Sequence, residues 1–65
     1  MEKEWVIIFE SMDTLQVEMA RQALERMEID SVIFNKKDST YGFGGLELYV
    51  HRDYVIRAKQ ILKDF

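Results

Sequence analysis

Hydrophobic positions along the chain change period several times, and each change marks an element. Trp5-Val-Ile-Ile-Phe9 is an unbroken run of β-branched and aromatic residues, the pattern of a strand covered on both faces. Further on, Val17, Ala20, Ala23, Leu24 and Met27 recur at spacings of three and four, with Glu18, Arg21, Gln22 and Glu25 between them. That spacing predicts an amphipathic helix with one buried face. Ser11 and Asp13 offer N-cap oxygens and Gln16 completes a variant capping box with Asp13, so the helix starts near Asp13. Ile29 to Phe34 reads as a second strand. Leu46-Glu-Leu-Tyr-Val50 alternates as a third, with one apolar and one mixed face. Asp53 is placed to cap a last helix whose apolar stripe is Val55, Ala58, Ile61, Leu62 and Phe65. There is no proline to break any of these elements.

The order βαββα predicts a single α+β domain over residues 1–65, a ferredoxin-like sandwich with two helices on one face of a three-stranded sheet and the usual fourth strand missing. In that topology the first strand lies beside the third and is an edge. Trp5 to Phe9 carries no charge, proline or glycine to blunt an edge, so the run calls for a cover: a second copy of the chain, an added partner strand, or the chain's own end. Self-association as a dimer is the favoured expectation, through Trp5, Ile7 and Phe9 together with Tyr49 on the helix-free face.

Composition sharpens this picture. A 65-residue chain buries only about 60% of the surface its unfolded form exposes, so its core alone gives marginal stability. Cysteine is absent, which removes disulfides and thiolate metal clusters as aids and leaves oligomerisation. With 48% hydrophobic and 32% charged residues the chain is of the ordinary folded class. Its apolar runs are too short to span a bilayer, and Met1-Glu-Lys-Glu4 lacks the marks of a signal peptide, so a cytoplasmic location is expected. A net charge of −3 disfavours nucleic acid and anionic lipid as partners. The acidic residues, Glu47 among them, read as a solvating shell, and Met12, Met19 and Met27 as core filler.

Between the second and third strands lies Asn35-Lys-Lys-Asp-Ser-Thr-Tyr-Gly-Phe-Gly-Gly45, a polar loop of about ten residues in a chain whose connections should be shorter. Lys36 and Lys37 bring positive charge, and Gly42, Gly44 and Gly45 let backbone amides approach a small anion. The run is not a P-loop, because no Lys-Ser/Thr follows and it leads into a strand.

Asp38, Ser39, Tyr41, Phe43 and Gly44, followed by Leu46-Glu-Leu-Tyr-Val50 and the stripe ending Ala58-Lys-Gln-Ile-Leu62, resemble a family of small bacterial signal-transducing domains of unknown function, grouped with the nitrogen-regulatory PII-like fold. The resemblance covers nearly the whole chain. It implies a regulatory or binding role without enzymatic activity, exercised on a protein partner or small ligand by the 35–45 loop, with Asn35, Lys36, Lys37, Asp38, Ser39, Tyr41, Phe43 and Gly44 as contact residues. Glu28 departs from the family, which usually has glycine at the end of the first helix.

An alternative class is a single-stranded RNA binder, since RNA-recognition domains share this element order and Tyr41 to Leu48 partly mimics their third-strand motif. Tyr41 stands where a basic residue belongs, and Gly45 and Leu48 where base-stacking aromatics belong. Catalysis has little to stand on. His51 is the only histidine, Ser39 and Thr40 have no evident base, and neither a metal site nor a cofactor is expected.

Overall fold

The computed structural model describes residues 4–35 and 45–65. The elements are β1 (Trp5–Ser11), α1 (Thr14–Arg26), β2 (Ser31–Asn35), β3 (Leu46–His51), a 3-10 turn (Arg52–Tyr54) and α2 (Val55–Ile61). Together they form the α+β, ferredoxin-like βαββα arrangement that the hydrophobic pattern predicts. The sheet order is β1-β3-β2, and β3 runs antiparallel to both neighbours. Among the described residues β1 is therefore an edge strand, as expected, and β2 is the other edge.

The core follows from the alternation of β3. Leu46, Leu48 and Val50 point to the helices and are buried with Val17, Ala20 and Leu24 of α1, and with Ile29, Ala58 and Leu62. Of the first helical stripe, only Met27 fails to reach this core. Met12, Met19 and Met27 are all exposed, which corrects their assignment as filler. The sheet-facing side of α1 is filled instead by Val17, Ala20 and Leu24.

Helix ends differ from expectation in informative ways. Asp13 caps α1 by accepting the Leu15 N–H at 3.0 Å. Gln16, however, does not close a box onto Asp13. Its Oε1 accepts the Ser11 hydroxyl at 2.8 Å, while the Ser11 oxygen accepts the Asp13 N–H at 3.0 Å. Gln16 Nε2 also donates to the Phe65 carbonyl at 3.2 Å, tying the last residues to α1. On the solvated face Arg21 bridges Glu18 and Glu25 at 3.2 and 3.1 Å, and the hydrogen bond to Glu18 above all raises its pKa.

At the other end of α1, Glu28 has φ 62°, a left-handed conformation. Its N–H donates to Glu25 O at 2.9 Å and the next N–H, of Ile29, reaches back to Leu24 O at 3.0 Å. These two bonds close a helix terminus around a left-handed residue, with the buried pair Leu24 and Ile29 as the accompanying apolar contact. The termination thus keeps the geometry that glycine favours, at a cost in strain that glycine would avoid.

Asp53 is not the cap of α2. His51 instead accepts the Asp53 N–H through Nδ1 at 3.2 Å and starts the 3-10 turn, and α2 follows without a side-chain cap.

Candidate functional site

The helix-free face of the sheet is the surface on which sequence and structure converge. Across β1 and β3 the register pairs Trp5 with His51, Ile7 with Tyr49 and Glu10 with Glu47. Across β3 and β2 it pairs Tyr49 with Val32 and Glu47 with Phe34. Residues directly opposite one another share a face. This face therefore carries Trp5, Ile7, Val32, Phe34, Tyr49 and His51, together with Glu10 and Glu47. Ile7 is 42% exposed, Val32 40% and Phe34 48%. A wet face is ordinary for an antiparallel sheet, but large apolar side chains grouped on it are not.

Phe9 does not join them. The register shifts between Ile7 and Phe9, so Ile8 is an extra residue and Phe9 comes opposite Leu48, on the helix side. There Ile8 and Phe9 both pack against the core, and the Phe9 ring meets Phe65 edge-on at 6.1 Å. Counting by twos from Trp5 places Phe9 with Ile7 and Tyr49. The bulge breaks that count. It also gives β1 a blunting device that composition does not display.

Trp5 is half-buried rather than bare. Its ring lies edge-on to His51 at 6.0 Å and 83°, and His51 in turn lies 6.5 Å from Tyr54. His51 Nε2 is 3.7 Å from Glu4 Oε2 and Nδ1 is 3.4 Å from Asp53 Oδ2. The imidazole serves as a local tie between the start of β1 and the turn after β3. Among the described residues, no group of three or more potential ligands is arranged to hold a metal ion.

Glu47 is the residue that sequence reading misplaced most. It is 2% exposed, on the helix-free face at the centre of the sheet, and accepts a hydrogen bond from the Tyr49 hydroxyl at 3.0 Å. The i, i+2 spacing on β3 was the available signal, since it sets both side chains on one face. A buried carboxylate there puts a polar group among the apolar side chains of that face.

Of the predicted loop contacts, Lys36, Lys37, Asp38, Ser39, Tyr41, Phe43 and Gly44 lie outside the described residues, and Asn35 ends β2. Gly45, at the other stem, is buried, and a Cβ built on it would stand 2.5 Å from the Ser11 carbonyl oxygen. Its role is to let β3 start hard against the end of β1. Leu48, one of the positions an RNA-binding motif would need open for stacking, is fully buried under the helices. A separate groove of about 530 Å³ runs between Asp13 and Asp64 over Leu15, Met19 and Phe65.

Fold and surface together define, among the described residues, a small α+β arrangement with one sheet face that carries no helix. The chain belongs to the family described as "Putative prokaryotic signal transducing protein", whose model matches residues 5–65. No curated protein and no solved structure matches it. No helix among the described residues is long and apolar enough to cross a membrane.

Proposed function

We propose that the domain is a non-enzymatic regulatory module that works by contact. The 35–45 loop meets a protein partner or small anionic ligand, and the helix-free sheet face mediates self-association. The observation that carries this reading is the group Ile7, Val32 and Phe34, exposed around Tyr49 and Trp5 on the one sheet face without helices. Burying such side chains returns roughly 25 cal/mol per Å² of apolar surface, a gain that a marginal 65-residue domain has reason to use. The family supplies the broad role of signal transduction.

Light scattering over a concentration series tests this directly. Wild-type protein is expected to gain mass with concentration, and Trp5→Lys to weaken that gain about tenfold while leaving the far-ultraviolet circular dichroism unchanged. A strict monomer at high concentration removes the self-association. Equal loss of fold and association would assign Trp5 to the core instead.

A further inference from the structure

The two outer strands are not equivalent, and the difference points away from β1. β1 has a bulge at Ile8 and carries a charge, Glu10, within the strand. β2 pairs with β3 residue for residue over Ser31–Asn35, and its Ser-Val-Ile-Phe-Asn sequence has no charge, proline or glycine. α2 packs over β1 and β3, so the helical cover near β2 comes from α1. Among the described residues no strand lies beyond β2. Alternate residues of such an edge turn their N–H and C=O groups outward, and a regular, uncharged edge is a template for another strand.

We propose that the β2 edge docks a second copy of this chain. The two β2 strands pair antiparallel about a two-fold axis through Ile33, extending the sheet from three strands to six. This proposal rests on the self-association proposed above but moves its contact from the sheet face to the β2 edge. Trp5 is then on the far strand, so Trp5→Lys should leave the dimer intact, and its loss in that variant would favour the face over the edge. A two-fold through Ile33 sets Ser31 opposite Asn35 of the partner subunit, and Val32 opposite Phe34 of the partner subunit. No like charges meet across the axis, because the strand has none. Val32 and Phe34 both lie on the helix-free face, and an aromatic residue facing a β-branched one is a favourable cross-strand pair. The row Ile7, Tyr49, Val32 then gains Phe34 of the partner subunit as its next member, followed in the same register by Glu47 of the partner subunit and Glu10 of the partner subunit. An edge of five residues is small beside a standard interface, so the dimer forms and dissociates with concentration.

The register makes a charge test possible. Val32→Lys with Phe34→Lys puts lysine opposite lysine, whereas Val32→Lys with Phe34→Glu puts lysine opposite glutamate in the same geometry. Sedimentation velocity on the full chain at low salt is expected to show the wild-type dimer, a dissociation constant raised at least about tenfold in the Lys/Lys variant, and recovery to within a few-fold of wild type in the Lys/Glu variant. Added salt should erase that recovery. Both variants put two charges on the open face, so packing of one face on another would weaken equally in both. Equal weakening, with the wild type still associating, overturns edge pairing and leaves self-association standing. A monomeric wild type overturns both. Amide hydrogen exchange on the wild type gives an answer independent of variant folding. Protection at Ser31–Asn35 should rise with protein concentration while β1 amides stay unchanged, and an associated sample without that rise refutes the proposal.

Discussion

Replacing Glu28 by glycine should stabilise this domain, an unusual direction for a substitution. Glu28 holds φ 62° at the end of α1, where its N–H and that of Ile29 close the last turn onto Glu25 and Leu24. A residue with a Cβ in this conformation costs about 1–2 kcal/mol. Glycine relieves that strain but adds conformational entropy to the unfolded chain, which returns about 0.5–1 kcal/mol of the gain. Removing a negative charge from the negative end of the helix dipole adds a few tenths, roughly 0.3 kcal/mol. The net is about 1 kcal/mol in favour of glycine, and in a domain of this size that raises the melting temperature by roughly 4–8 °C. Thermal unfolding followed by far-ultraviolet circular dichroism reads it, with Glu28→Ala as the control. Alanine removes the charge and keeps the strain, so it should shift the midpoint by only about a third as much. A shift for alanine equal to that for glycine would mean that charge, not backbone conformation, was the source, and would refute the reasoning.

Two further substitutions test what places the loop stem and the first helix. Gly45→Ala puts a Cβ within 2.5 Å of the Ser11 carbonyl oxygen, and since both partners are backbone the strands must part, at a cost of about 1–3 kcal/mol measurable by urea unfolding. An unchanged urea midpoint would show that β3 does not start against Ser11. Asp13→Ala removes the acceptor for the Leu15 N–H and should cost about 1 kcal/mol, with Asp13→Asn retaining most of it. Equal losses for alanine and asparagine would shift the role from cap to charge.

Much of this architecture was legible because short-range periodicity controls it. The three-and-four spacing from Val17 to Leu24 and the alternation of Leu46, Leu48 and Val50 each state which face must be hidden, and burial follows them, whereas the run from Trp5 reads as a strand covered on both faces and leaves Ile7 exposed on one. The cap at Asp13 was readable for the same reason, since donor and acceptor lie two residues apart. The conflict at Glu28 also showed in the chain, through the resemblance to a family with glycine at that site. Its resolution did not.

Other features depend on which strands meet, and no local pattern records that. The bulge at Ile8 exists because β1 must match β3 along its length, and it alone turns Phe9 to the core while Trp5 and Ile7 stay on the open face. Glu47 looks like any surface acid until β3 becomes the central strand, with neighbours on both sides. The capping role of His51 likewise appears only once the turn after β3 is formed. Sequence by itself determined the elements and the apolar stripes of the first helix and third strand that leave water, but not the exposed methionines or the buried Glu47. Tertiary structure decided which face and which edge remain for another molecule, because strand pairing and register are fixed by contacts between segments far apart in the chain.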